Sequence, residues 1–475
     1  MYNDMEETIN EIKEEEGLRS RKMRTTPVGK LLFRMSMPAI MSMLVQALYN
    51  VVDSIFISWD SAKGLDALGI AFPLQTLIVA FAVGIGVGAN AQIAKKLGEG
   101  RNDEASATAR NALFMAATAA LVFVALAFTV SRPFMSLFSS DAQTIDMGTQ
   151  YLTIVMGLSF GTFLEITLSK TLQATGNMIV PMVSQLIGAV TNIVLDPVFI
   201  FAFDMGVAGA AIATVIGQIC SFIFVTTVFI TRKQDVSLRF RGFRPQWRYI
   251  KAIFIIGLPT IVMNSVSSFT TMAMNAIVRP LSENAIRILS SVYFKLQSFV
   301  FMPVFGLTQG ALPILSYNYG SDDDKRYKRA AKLTVMVALC IMAVGTVLFQ
   351  TCTPLLLKIF NASGTFMSEG IYALRIISIS FVFAAFGITV TTIFQSLGRG
   401  VSSLIMSLMR QVVLLLPFAL LLASVSGIWG VWFCYPISEF IVCAVFTPLS
   451  VRAIGKSFMA KRSDKPAAAT DEAVG

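Results

Sequence analysis

The feature that most narrows what this chain can become is the recurrence, from end to end, of apolar runs as long as a bilayer core is thick. A helix needs about 20 apolar residues to cross that core, and every backbone N–H and C=O in it must be satisfied within the segment. Twelve such runs occur, at about 30–58, 67–92, 106–130, 148–173, 178–203, 207–231, 250–277, 286–316, 330–350, 369–397, 400–424 and 427–452. They use up most of the 475 residues, so the expected fold class is an all-α integral membrane protein of twelve transmembrane helices. Composition agrees: 14% of the residues are charged, against roughly 25% in a soluble domain.

Twelve spans return both termini to one side. On that assignment 30 of the 38 Lys and Arg fall on the terminal side, six on the far side, and two, Lys295 and Arg410, inside spans. The positive-inside rule then puts both termini in the cytoplasm. The net charge of +10 follows from this topology and gives no reason to expect a nucleic-acid partner. Residues 1–27 lack the apolar core of a signal peptide and are expected to be a polar cytosolic tail. Five cysteines, four of them inside spans, suit packed thiols rather than a disulfide framework.

An internal repeat organises the spans. A shift of 222 residues lays Phe72, Leu74 and Gln75 on Phe294, Leu296 and Gln297, Gly84, Gly88 and Gly98 on Gly306, Gly310 and Gly320, and Gln173 and Gly176 on Gln395 and Gly398. The expectation is two pseudo-symmetric six-helix bundles, 28–231 and 252–455, joined by the basic segment 232–251 and followed by a cytosolic tail at 456–475. Both GxxxG pairs suit close helix approach in lipid. GIGVGAN is read as packing glycines rather than a nucleotide loop, because no strand precedes it.

Several chemistries are argued against by what the chain lacks. Ile454 to Ser457 ends like a phosphate-binding loop, but Ser450 stands where the leading glycine belongs. With no histidine anywhere, HExxH metal sites and Ser-His-Asp triads are excluded. No cofactor is expected, and neither Asp53 nor Asp196 occurs in a GxGD context. Any proton carried within the membrane must ride on a carboxylate.

TNIVLDPVFI, residues 191–200, supplies one. An aspartate in the middle of a span costs about 2.5–3.5 kcal/mol on insertion scales, so its default reading is functional. Asn192 and Asp196 share a helix face. Pro197 cannot donate to the carbonyl of Ile193, so an oxygen-rich notch is expected where the helix breaks, fit for Na⁺ or a protonatable acid. The first span adds Asp53, beyond a kink expected at Pro38 and near Gln46, Tyr49 and Asn50. The repeat places Met274 opposite Asp53 and VVLLLPFAL opposite Asp196, so the acids belong to the first half alone. One half is expected to bind the coupling cation while both enclose the substrate.

LVQALYNVVDSIFIS in the first span, AQIAKKLGEG closing the second, QATGN after the fourth and NIVLDP in the fifth together resemble the multidrug and toxic compound extrusion (MATE) family. The likeness runs over essentially all of 28–455 and is nearest to the branch named after DNA-damage-inducible protein F. It implies that Asp53, Asn192, Asp196, Thr214 and Tyr151 surround a coupling cation, H⁺ or Na⁺, with Na⁺ held by the first four. It also implies export of cationic amphipathic drugs across a prokaryotic-type cytoplasmic membrane, by a monomer in contact with lipid. Gln46, Asn50, Met274 and Arg410 are the expected cavity residues. Glu165 and Lys170 are expected to pair or to sit near the cytosolic end, and Arg410 to pair with Glu439 or face the cavity. The alternative is a flippase for lipid-linked precursors, whose anionic cargo would use Lys295, Arg410 and Arg375.

Overall fold

The computed structural model describes residues 23–60, 62–359 and 364–463, and every regular element among them is helical. The N-terminal lobe comprises α1 (Val28–Asp60), α2 (Ala62–Gly98), α3 (Asn102–Phe138), α4 (Ala142–Gly157), α5 (Phe160–Ala174), α6 (Ile179–Pro197) and α7 (Gly206–Thr231). The C-terminal lobe comprises α8 (Trp247–Val278), α9 (Glu283–Ile286), α10 (Phe294–Gly320), α11 (Asp324–Ile359), α12 (Gly364–Ser396), α13 (Gly400–Leu408), α14 (Leu415–Val431) and α15 (Cys434–Ser463). Three π-helical stretches interrupt the α geometry, at Val198–Ala202 after α6, Arg287–Tyr293 before α10 and Met409–Leu414 between α13 and α14.

Among the described residues eleven helices are long and apolar enough to cross a bilayer, and the bent pair α4–α5 makes a twelfth if it counts as one span. That pair departs from the straight helix expected over 148–173. Its two parts meet at 46°, where Gly157 and the non-helical Leu158 (φ −110°, ψ 18°) weaken the ladder. The last span also differs, starting at Cys434 instead of 427, because helix resumes after Gly427 (φ +60°, ψ −148°) and runs to Val431 before the turn at Trp432 and Phe433. It then runs on as helix to Ser463, through Ile454–Ser457 and into the segment expected to be a tail. There Lys461 Nζ donates to the carbonyls of Tyr319 and Gly320, both at 2.6 Å, and caps the C-terminus of α10. Residues 23–27 are tied to the bundle at two points: Arg326 donates to the carbonyls of Met23 and Thr26, and Met23 is buried.

The repeat is visible in turn geometry as well as in helix order. Gly176 (φ +87°) and Gly398 (φ +75°) end related helices in the same left-handed turn, and Gly100 (φ +72°) has as its repeat mate Asp322 (φ +61°). The basic connection between the lobes is laced to α3, where Ser106 Oγ accepts from Ser237 N (3.0 Å) and Asn111 Oδ1 from Gln246 N (2.8 Å).

Glycines set how the lobes meet. A Cβ on Gly84 would lie 2.3 Å from Ile261 Cγ1, one on Gly257 2.2 Å from Gly84 O, and one on Gly88 2.1 Å from Ile253 O. The repeat-related contact sets α10 on α1: a Cβ on Gly306 would lie 2.5 Å from Ile40 Cα, and one on Gly310 2.6 Å from Ser36 Oγ. Each lobe's first helix therefore lies in the groove of the other lobe's second helix. Gly98 and Gly320 close the crossing of α2 with α10, against the carbonyls of Tyr317 and Lys95. All these contacts lie in the half of the bundle that carries the termini. In the opposite half, Lys63 bonds Asp141 and Gln143 within one lobe, while Ser282 bonds Glu369 within the other. The lobes are thus sealed together at the terminal end.

Candidate functional site

Two helices carry the centre of the N-terminal lobe, and small residues let them approach. A Cβ on Gly217 of α7 would lie 2.6 Å from the carbonyl of Gly188 on α6, and one on Gly188 would lie 2.5 Å from Ser221 Oγ. Ser184 and Ser221 then exchange hydroxyl-to-carbonyl bonds of 3.2 and 2.8 Å across the same seam. One turn on, Asn192 Nδ2 donates both to Asp196 Oδ1 (3.2 Å) and to Thr214 Oγ1 (3.2 Å). Asp196 has no exposed surface, Asn192 2% and Thr214 4%. Because the amide nitrogen faces the carboxylate, Asn192 Oδ1 points away and accepts no hydrogen bond among the described residues. The seam thus sets a carboxylate from α6 and a hydroxyl from α7 beside the Asn192 amide nitrogen, with the amide oxygen turned away from them.

The structure therefore brings together three of the five residues implied for the cation. Tyr151, the fourth, is buried on α4, a helix that packs against α7. Asp53 lies on α1, and its side chain, like that of Asn50, is outside the described residues. At Pro38 α1 continues as one helix. After Pro197 the chain does not simply resume α geometry: Val198 N turns to the carbonyl of Leu195, and the π-helical turn follows, with Phe203 N bonded to Val198 O at 3.0 Å. An inserted π turn widens the helix beside the carboxylate, a distortion common at functional sites. Pro197→Ala is expected to let the ladder close, leaving thermal stability in detergent unchanged or higher, since a helix interior gains from losing proline. The response of the melting temperature to Na⁺ and to pH should shrink. A destabilised variant with that response intact would make Pro197 a packing element only.

Three cavities lie within the bundle, one of them beside this cluster. One of about 150 Å³ lies within the N-terminal lobe, bordered by Gln46, Glu165, Asn192 and Thr214. A second, about 290 Å³, lies between the lobes and also touches Gln46, together with Lys170, Gln309 and Arg410. A third, about 250 Å³, lies in the C-terminal lobe around Met274, Tyr293, Arg410 and Glu439. Gln46 separates the first two, accepting from Gln185 at 3.4 Å. Met274 belongs to the third and not to the cavity between the lobes.

The remaining intramembrane charges sort differently from expectation. Glu165 Oε1 accepts from Ser169 Oγ (2.7 Å) and Ser184 Oγ (2.9 Å), while Lys170 Nζ donates to Gln173 (3.1 Å) and Gln309 (2.7 Å). The two neither pair nor sit at an exposed helix end; a lysine turned inward by five residues of helix meets glutamines before it meets the acid. Arg410 Nε lies 3.6 Å from Glu439 Oε1 and also borders the cavity between the lobes, so both readings of it hold. Gly387 makes the room, since a Cβ there would lie 3.2 Å from Arg410 Nη1. Lys295 and Arg375 are exposed and border none of the three cavities. Among the described residues no cluster of three His, Cys, Asp or Glu could hold a metal ion, and the five cysteines are unpaired.

The family model MatE matches residues 38–198 and again 259–421, one match in each lobe. The chain belongs to the MatE family. A multidrug export protein MepA of Staphylococcus aureus (strain bovine RF122 / ET3-1) is 23% identical over 427 residues, covering 90% of this chain and 94% of the relative. A MepA of Staphylococcus saprophyticus is 23% identical over 425 residues, covering 89% and 93%. Among solved structures, a MATE family transporter in an outward-facing conformation superposes with a TM-score of 0.87 at 24% identity, covering 92% of this chain and 98% of that one. A MATE protein in the bent conformation superposes with 0.88 at 23% identity, covering 94% and 99%. As a MatE protein the chain is a multi-pass membrane transporter, not an enzyme. Within it, Gln309, Ser169, Ser184 and the Thr162–Gln218 contact were not foreseen; the repeat-related Gln173 and Gln395 were the one available signal of a polar lobe interface, Gln395 donating to Thr260 at 3.0 Å.

Proposed function

We propose that this MatE protein exports amphipathic cationic compounds in exchange for H⁺ or Na⁺ by alternating access. The observation that carries the reading is the buried Asn192–Asp196–Thr214 cluster, which borders a cavity inside one lobe while the two lobes are sealed at the terminal end. The MepA relatives, named for multidrug export, support the substrate class. With the termini cytoplasmic, the sealed end faces the cytosol and the state described is outward-open. A cation arriving from outside reaches Asp196, and with it Asp53. Its binding neutralises the carboxylates and repacks α1 against α6, near Pro38 and Pro197, which weakens the hold on the drug. Two ligands that weaken each other's binding exchange without ATP.

The test is ethidium transport by purified protein in liposomes under imposed H⁺ or Na⁺ gradients. Transport that follows one of the two gradients and stops when it is collapsed is expected. Transport indifferent to both removes the coupling. A flippase for anionic lipid-linked precursors is the weaker reading, because it gives no role to the buried Asn192–Asp196–Thr214 cluster, and of Lys295, Arg375 and Arg410 only the last reaches a cavity.

A further inference from the structure

The cavity between the lobes has a polarity opposite to that of the cation cluster. Its charged side chains are Lys170, from the N-terminal lobe, and Arg410, from the C-terminal lobe; among the described residues no carboxylate borders it. Lys170 is 7% exposed, and no carboxylate oxygen lies within ion-pair distance of its ammonium. Two neutral glutamine oxygens, those of Gln173 and Gln309, take two of its three donors. A buried cation solvated by amides alone is costly unless a counter-charge arrives. The position is built, not incidental: the lysine stem crosses α2 at Gly86, where a Cβ would lie 2.6 Å from Lys170 Cγ. Gln309 comes from α10, so the bond that holds the ammonium spans both lobes. Arg410 has Glu439 at 3.6 Å, whereas Lys170 feels Glu165 only through space, without an ion pair. Around these charges apolar side chains such as Met43, Met263, Met302 and Phe305 alternate with neutral polar ones, among them Asn264 and Thr391.

We infer that the cavity between the lobes binds amphiphiles through an oxyanion, a carboxylate or a phosphate, held by Lys170 with Arg410 beside it. The inference rests on the transport reading above and widens it: a zwitterionic substrate sets its anionic group in this cavity and leaves its cationic group to the acids of the N-terminal lobe. Such a ligand would bridge the lobes, since its two positive partners come from different halves.

A matched pair of dyes tests this without any gradient. Rhodamine 123 is the methyl ester of rhodamine 110, so the two differ at one carboxylate. Binding to the detergent-solubilised full chain, followed by fluorescence anisotropy, should favour rhodamine 110 by roughly tenfold or more, as a charge-assisted hydrogen bond implies. Lys170→Gln should abolish the preference while rhodamine 123 binds no worse, which also shows that the variant is folded. Lys170→Arg should keep the preference. Short-chain phosphatidic acid separates the sources: if it displaces rhodamine 123 from the native protein and not from Lys170→Gln, and the dyes bind equally, the oxyanion is a lipid phosphate. Equal dye binding with no displacement overturns the inference, as does a preference that survives Lys170→Gln. Gradient-driven ethidium transport in the same preparation keeps failure here distinct from failure of the antiport reading.

Discussion

Asp196→Asn and Asp53→Asn should each reduce gradient-driven ethidium transport to the level of protein-free liposomes, in a protein that still inserts and stays folded. The geometry says why the fold should survive. Asn192 Nδ2 donates to Asp196 Oδ1, and an amide carbonyl at 196 accepts the same bond. What disappears is the charge: an amide neither releases a proton nor balances a cation, so the neutral state is fixed and exchange has no second ligand. Met274→Ala and Leu416→Ala, near the repeat-related places, are the controls and should leave coupling in place. Wild-type transport by both asparagine variants would locate the coupling site elsewhere. Equal loss of gradient dependence in all four would remove the one-lobe assignment.

Gly88→Val should be nearly as damaging, for a mechanical reason. The new Cβ would stand 2.1 Å from the carbonyl oxygen of Ile253, a backbone atom that cannot step aside. Separating α2 from α8 is the only relief, and overpacking of this kind costs about 1–3 kcal/mol. Charged against the terminally sealed state alone, that is a shift of about 5- to 150-fold in the balance between states. Spin labels at Asn102 and Asp323, one in each lobe at the terminal end, should report a longer mean separation, and efflux should fall by about tenfold or more on the same scale. Gly69→Val on the same helix meets nothing within 4 Å and is the matched control. An unchanged distance distribution with native transport would show that the seal tolerates the extra bulk.

Much of the architecture was legible because lipid leaves few choices. Helix number, the repeat and the role of both GxxxG pairs follow from residue spacing that a bilayer forces into view. The partner of each glycine pair was not legible, since nothing local in Gly84 and Gly88 says that Gly257 and Ile253 lie opposite. The bend at Leu158 was missed because it sits inside an apolar stretch that reads as continuous, whereas the break at Gly427 falls where one span was expected to give way to the next. At the site, i to i+4 spacing located Asn192 beside Asp196, and the resemblance supplied Thr214. Lys170 was misplaced for a different reason: a lysine stem is long enough to end at the membrane surface or in the interior, and only Gly86 and Gln309, distant in sequence, decide which. The π turn after Pro197 was not legible either, since the contact of Phe199 with Gly209 of α7 that accompanies it is not local in sequence.

The glycine seam also fixes an order of assembly. Ser36 bonds the carbonyl of Leu307, 271 residues later, so α1 rests on a helix synthesised long after it. At about 5–20 residues per second, roughly 14–54 s separate the two during synthesis. For that interval α1 has only its own lobe to lean on, chiefly α6, and the groove beside Ser36 and Ile40 faces lipid. The N-terminal lobe must therefore be a competent resident of the membrane before its counterpart exists. Truncated chains ending near residue 231 should insert and remain protease-resistant, whereas a lone second half would arrive with α10 lacking the helix its glycines were shaped to receive.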